Sequence, residues 1–582
     1  MSAVDMLRTV SGQVLVLPAR HRAPRRGPAV RAVWHRTGGW WHIPFLVLLA
    51  AGLAVRLAAV AGYRPALWFN DSYDYISVTL RPEPYVVRPS GYSFFLRLLL
   101  PFHSFELVVL VQHLIGLAVG VGIYVLLLRL RVPALLAAAG AAPQLLDAYQ
   151  VALEHMVLSE TLFTALLVGA VLCLLWNRRV GVLGALGAGL FLSAASVTRS
   201  VGLPLAAVAG LWLLVRWPGW RSAGVFAAAL ALPLAAYCGW HQAEHGTFAV
   251  SGSTGIFLYS RTATFADCSV LNPPERLRVL CPAGPVDSLQ VPSDYIWHGT
   301  SPLFFDIPGY PYDPKNIPRY TFAPGREKLA REFAVLAITR QPGDYLRTVA
   351  HDFRRTFRSR LDDYPSRMVA ERYSFAGAMV PVTKPDHETA DMRAYERGEF
   401  ITTAHDPAAG WLVSYQRHVR VPAPAIGLLL AAALAGALLA VRDRALRAPL
   451  LLLAAVALLA LLLPPATAGF DYRYVPPSFP FLGAAAALAA AGALRFGRGL
   501  VRRLRPGPGP AAPGPAIPVQ PGPGAGDLGP GGLGPGDLGP GEPGQAEPGQ
   551  PRGDPGPTGP PGSPGSAGSR ASSQRSTTSR VS

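Results

Sequence analysis

Long apolar runs constrain this chain more than any other feature. Runs near residues 43–62, 106–128, 157–176, 422–441 and 448–467 meet the roughly 20 residues that a helix needs to cross about 30 Å of hydrocarbon. Lipid offers no water to the backbone, so a spanning segment must close its own hydrogen bonds, which a helix does within itself. Further apolar runs at 132–149, 180–198, 200–216, 222–240 and 477–494 bring the expected spans to ten. Half of the 582 residues are hydrophobic and only 15% are charged, which excludes an ordinary soluble class. The expected fold is an all-α polytopic membrane protein with an extracytoplasmic membrane-proximal domain and a disordered C-terminal tail.

The formal charge of +18 raises the question of nucleic acid. The basic residues cluster just outside the apolar runs and form no nucleic-acid motif, so topology explains them better. Short loops on one side carry 21 arginines and those on the other carry 6. The positive-inside rule then predicts a multi-pass protein of the cell (inner) membrane with both termini cytoplasmic. Residues 1–42 form a basic cytoplasmic tail, and the run after it is longer than the apolar part of a signal peptide, which reads as a retained anchor. Spans one to seven occupy 43–240, including a first outer loop at 63–105. An extracytoplasmic domain follows at 241–421, then spans eight to ten at 422–494. From 495 to 582 a cytoplasmic Pro/Gly-rich segment lacks the strict three-residue period of collagen over most of its length and cannot bury a core.

Of four cysteines, Cys173 and Cys238 fall in expected spans as small apolar groups. Cys268 and Cys281 lie close together in the 241–421 segment, where either a disulfide or two free thiols fits the spacing. An amphipathic stretch from Gly325 to Leu361 reads as helix, a turn at Gln341-Pro342-Gly343, then helix, folded on the membrane surface.

Polar residues that carry chemistry gather at the outer edges of the spans. The first outer loop reads Trp68-Phe69-Asn70-Asp71-Ser72-Tyr73-Asp74-Tyr75, followed by Arg88-Pro89-Ser90-Gly91-Tyr92. An aspartate there can accept a proton from a hydroxyl or bind a divalent cation, and Arg88 offers a fixed cation to a phosphate. The second carries Glu154-His155 and then Glu160, an acid/base or metal cluster in one reading and a helix-dipole partner in another, with no strict zinc spacing. Arg199, between two spans, needs an anionic partner at the membrane edge, for which a lipid phosphate or a headgroup serves. Arg473 stands in Asp471-Tyr472-Arg473-Tyr474-Val475-Pro476-Pro477, on the side the positive-inside rule depletes.

Together these pieces resemble the polyprenyl-phosphate-sugar-dependent branch of the C-type (GT-C) membrane glycosyltransferases, which includes the protein O-mannosyltransferases and the aminoarabinose transferases. The resemblance spans roughly residues 40–495 and rests on Asp71 with Arg88–Tyr92, on Leu158–Phe163, on Thr198–Leu203 and on Tyr472–Pro477, in that order on one side of the bilayer. It implies transfer of a sugar from a polyprenyl-phosphate donor to an extracytoplasmic hydroxyl acceptor on protein, lipid or cell-wall glycan. Asp71 would be the catalytic acid of the first loop, and Arg88, Arg199 and Arg473 would hold the donor phosphate. Asp74, Glu154, His155 and Glu160 would be acceptor or metal candidates. Many relatives show two adjacent acids in the first loop, whereas Ser72 and Tyr73 separate Asp71 from Asp74 here, so a divalent cation stays open. A lipid or glycolipid flippase is the alternative, and a scaffold protein a third; the absence of a clear internal repeat and the edge placement of the polar residues favour the enzyme.

Overall fold

The computed structural model describes residues 39–282, 291–297, 301–304, 322, 324–359, 363–375, 386–440 and 443–504. Residues 1–38 of the N-terminal tail, nearly all of the Pro/Gly-rich segment and Leu361 lie outside the described residues. Helices of eight or more residues are α1 (Ile43–Gly62), α2 (Asn70–Leu80), α3 (Gly91–Leu99), α4 (Phe105–Arg129), α5 (Ala134–Leu146), α6 (Ala148–His155), α7 (Glu160–Leu175), α8 (Val182–Thr198) and α9 (Gly202–Arg216). They continue with α10 (Trp220–His245), α11 (Thr254–Ala263), α12 (Pro324–Arg340), α13 (Pro342–Arg355), α14 (Asp386–Glu396), α15 (Ala408–His418), α16 (Ala423–Leu439), α17 (Arg444–Thr467) and α18 (Phe479–Leu504).

Five helical stretches are long and apolar enough to cross a membrane: Gly39–Gly62, Phe105–Arg129, Trp220–His245, Ala445–Thr467 and Tyr472–Gly497. A sixth is the pair α15 and α16, bent by 55° at their junction. The protein is therefore a helical membrane protein. The other four expected spans are shorter apolar helices, α5, α7, α8 and α9. The run at 132–149 does not continue as one helix. Pro143 lies near its end, the helix stops at Leu146, and Asp147 starts the next one by accepting the Gln150 N–H at 2.9 Å. The last helix, in turn, runs on to Leu504, past the expected start of the tail at 495, because its arginines are good helix formers.

Close backbone approach sets the bundle's tightest crossing. A Cβ on Gly483 of α18 would lie 2.0 Å from the Gly140 carbonyl oxygen of α5, so neither position admits a side chain without separating the helices. The only sheet among the described residues joins Tyr63–Arg64 antiparallel to Thr403–Ala404. That pair ties the start of the first loop to the approach of α15.

The polar segment does not stand apart from the first loop. Val78, Tyr85 and Val87 share one apolar core with Ile256, Tyr259, Phe333 and Ala337. Within this segment Cys268 and Cys281 form a disulfide. The amphipathic stretch is two helices, α12 and α13, parted at Gln341.

Candidate active site

Asp71 stands in the first turn of α2, where the helix N-terminus favours negative charge. The Phe69 N–H donates to Ser72 Oγ at 3.0 Å, which fixes the entry into the helix. The Asp71 carboxylate is bridged: Oδ1 lies 2.9 Å from Arg88 Nη1, and Oδ2 accepts from Arg473 Nη1 at 2.8 Å. Asp74, one turn on, is 3.5 Å from the same Arg88 nitrogen. Arg473 also lies 3.2 Å from Asp471 and 3.7 Å from Glu160, and Glu160 lies 2.6 Å from Arg199. Acids and guanidiniums thus alternate from Asp74 through Arg88, Asp71, Arg473 and Glu160 to Arg199. Six of the residues named from sequence meet in one network.

Aromatic faces hold the guanidiniums in place. Arg88 stands 5.6 Å from the Tyr75 ring centroid, Arg473 stands 4.6 Å from that of Phe69, and Arg199 stands 5.1 Å from that of Tyr474. The network forms part of the wall of a cavity of about 790 Å³, onto which Asp71, Asp74, Arg88, Arg199, Asp471 and Arg473 open. Its hydrogen bonding is not saturated. Arg88 Nη1, Arg473 Nε and Glu160 Oε1 are buried at ion-pair distance, and these atoms and Glu160 Oε2 have no hydrogen-bond partner among the described residues.

Burial alone would push the Asp71 carboxyl up, but the guanidiniums of Arg473 and Arg88 override it and hold the group well below the ordinary carboxylate range. A carboxyl held low favours the folded state above its ordinary pKa of about 3.9, and that contribution is lost as pH falls. Arg473→Ala removes one of the two cations, so acid unfolding followed by tryptophan fluorescence should begin at higher pH. An unmoved transition would show that the pair does not stabilise the fold. Asp471, by contrast, is pushed up by burial despite Arg473 and the Tyr373 hydroxyl, which donates to it at 2.8 Å.

Glu154 and His155 belong to a second network and do not line the cavity. Glu154 accepts from Arg56 Nε at 2.7 Å and Nη2 at 2.8 Å, and from the side-chain amide of Gln150 at 3.0 Å. Arg56 and Glu154 are 1% and 0% exposed. Gly116 makes room for the carboxylate, since a Cβ there would lie 2.0 Å from Glu154 Oε1. His113 lies 3.1 Å from Glu154 and 3.0 Å from His155, whose Nε2 is 2.7 Å from the Tyr63 carbonyl. Burial and His113 push His155 down to about 3, so it is a neutral ring. This cluster steers the first loop. Leu67 N donates to the His155 carbonyl at 3.0 Å and Val157 N to the Leu67 carbonyl at 3.2 Å, four residues before Asp71. Gln112 links the two networks. Its amide donates to the Glu154 and Met156 carbonyls, and its oxygen accepts from Tyr92, whose ring packs edge-on against Tyr75. The Tyr75 hydroxyl donates to Ser159 Oγ, which also accepts from Arg199.

Among the described residues no group of three or more His, Cys, Asp and Glu is arranged to hold a metal ion. Asp71 and Asp74 both turn to the Arg88 guanidinium, which already occupies the place of a cation between them and makes the pair a poor fit to a divalent ion. Asp471, Ser159 and Tyr373 were not singled out from sequence as site residues. Asp471 was legible in the motif it shares with Arg473. Ser159 lies in the Leu158–Phe163 stretch, and nothing local marks Tyr373.

No family model matches the chain, and no curated protein is significantly similar to it. Among solved structures the chain is similar to the archaeal oligosaccharyltransferase AglB from Archaeoglobus fulgidus, in complex with an inhibitory peptide and a dolichol-phosphate. The identity is 12% and the TM-score 0.34, over 81% of this chain and 52% of that one, so the chain spans about half that protein's length. It is also similar to ArnT from Cupriavidus metallidurans in the apo state, at 14% identity and a TM-score of 0.28, over 77% of this chain and 76% of the other.

Proposed function

We propose that the protein is a membrane glycosyltransferase that moves a sugar from a polyprenyl-phosphate donor to a hydroxyl acceptor. The observation that carries this reading is the bridged Asp71 carboxylate, set between Arg88 and Arg473 on the wall of an approximately 790 Å³ cavity that Arg199 also lines. A lipid-linked donor keeps its prenyl chain in the bilayer while its phosphate meets fixed guanidiniums, for which bidentate, planar donors are suited.

The same arrangement supplies a way to switch on the base. In the resting site the two guanidiniums keep Asp71 weakly basic. A donor phosphate engaging Arg88 and Arg473 draws them off the carboxylate, and Asp71 becomes a better proton acceptor as substrate binds. The acceptor oxygen then bonds to the anomeric carbon from the face opposite the phosphate, its proton passes to Asp71, and the bond from the anomeric carbon to the phosphate oxygen breaks. The configuration inverts and the negative charge that develops on the phosphate is stabilised by the three arginines.

The arginine distribution along the sequence supports a cavity on the extracytoplasmic side, with both termini in the cytoplasm. Purified protein incubated with labelled polyprenyl-phosphate sugars should release polyprenyl phosphate and transfer the label. Donor moved across a vesicle membrane with its sugar still attached would favour a flippase instead. Arg199→Ala should weaken donor binding roughly tenfold to a hundredfold, as expected for loss of a charge-assisted hydrogen bond. Unchanged affinity in equilibrium binding would remove Arg199 from the phosphate site. Labelling of a cysteine engineered at residue 71 from the cytoplasmic side only would overturn the orientation.

A further inference from the structure

Helix α13 is fastened at both ends to membrane helices at the cavity end of the bundle. Near its start the Tyr345 hydroxyl donates to the Ala466 carbonyl at 3.0 Å, in the last turn of α17. Just beyond its end the Phe357 ring lies 3.3 Å from where a Cβ of Gly427 would stand, within the first two turns of α16. These two anchors fix the depth of the helix independently. It lies level with the terminal turns of two apolar helices, where hydrocarbon gives way to headgroups.

The two faces of α13 suit that position. Val349 is buried, and Phe353 and Phe357 are partly buried against the bundle core. Along the other face Arg347, His351 and Arg354 are exposed at i, i+4 and i+7, a single stripe, and Arg358 is exposed three residues past the helix end. Leu346, in line with Phe353, is 64% exposed. The Arg347 side chain is 78% exposed although it keeps one ion pair, with Asp344 at 3.0 Å. The remaining acid of the helix, Asp352, is buried between Arg261 and Arg355 and reaches the stripe at His351, 3.8 Å away. A row of guanidiniums at this level has hydrocarbon on one side and lipid phosphates on the other. Arginine resolves that by extending its head to the phosphates and its stem along the apolar layer.

We infer that this stripe is a docking surface for the headgroups of anionic phospholipids in the surrounding bilayer. Zwitterionic headgroups also carry a phosphate, but their own ammonium cancels most of its attraction. The contact has a bearing on the cavity, because Pro464, Thr467 and Ala468 at the same end of α17 line it. Lipid drawn to α13 therefore stands next to the opening rather than at a remote surface.

The test uses the full chain in nanodiscs of phosphatidylcholine mixed with phosphatidylglycerol, with a photoactivatable phosphatidylglycerol as probe. Adducts should map to the peptide spanning 342–358 and should fall as ionic strength rises. Arg347→Gln/Arg354→Gln/Arg358→Gln should lower adduct yield there by at least roughly fivefold, the effect expected of even one guanidinium near an anionic surface, while the matching triple change to Lys should retain it. Adducts spread evenly over the lipid-facing helices, equal yield in the Gln triple, or equal yield from a phosphatidylcholine probe would each overturn the proposal. If the Gln triple fails to fold, the salt dependence and the probe comparison in unaltered protein decide the question alone. None of these readouts depends on sugar transfer.

Discussion

Replacing Asp71 by Asn should lower turnover of a polyprenyl-phosphate sugar roughly a hundred- to ten-thousandfold, the range expected for removal of a general base, while leaving the donor bound. The asparagine keeps the shape and one acceptor oxygen but cannot take the proton. It also frees Arg88 and Arg473 from a negative charge, so donor affinity should rise or hold rather than fall. That split distinguishes a base from a merely architectural acid, because loss of architecture would weaken binding and turnover together. Single-turnover kinetics combined with equilibrium binding of the labelled donor measures both. Turnover equal to that of the unaltered protein would remove Asp71 from the chemistry.

The largest effect on stability should come from the buried pair beneath the site. Arg56→Ala leaves the Glu154 carboxylate without its main counter-charge at 0% exposure, and loss of one partner of such a pair costs about 3–5 kcal/mol. Thermal unfolding in a fixed detergent should shift down accordingly. Arg56→Met combined with Glu154→Leu should recover much of that loss, since the double change removes both charges and fills the space. The double variant then separates stability from function. With the fold restored, the tie from Arg56 through Glu154 is gone, and a residual fall in kcat would assign the cluster to positioning the Asp71 loop. A double variant as unstable as the single one would show that the remaining polar partners, His113 and the glutamines, depend on Glu154 for their own satisfaction.

The apolar helices were legible because membrane solvation writes them into composition over some 20 residues at a time. Each of the ten expected spans contains a helix, and the discrepancies fall at ends, where Pro143 and Asp147 or a run of arginines decide the boundary. Asp71, Arg88, Arg199 and Arg473 stood out for a related reason: charge at the edge of an apolar run needs a partner, and of the four only Arg473 has one within two residues, Asp471. What sequence could not convey is direction. Glu154 and Glu160 lie six residues apart and read as one cluster. The extended backbone at Met156, with φ −87° and ψ 144°, ends α6 and turns the two acids opposite ways, Glu154 into the bundle and Glu160 towards the arginines. Tyr373 reaches the network only through the fold, so no local pattern could mark it.

Asp71 and Arg473 touch across 402 positions of the chain. Synthesis runs from the N-terminus onward, so the aspartate emerges early and waits, joined at most to Arg88, until α17 and α18 are inserted. A ribosome halted at residue 440 would leave a product rich in membrane helices yet lacking one of the two cations that define its reactive carboxylate. Nascent chains arrested at successive lengths should therefore acquire donor affinity in a single late step, a behaviour that ties competence to insertion of α17 and α18.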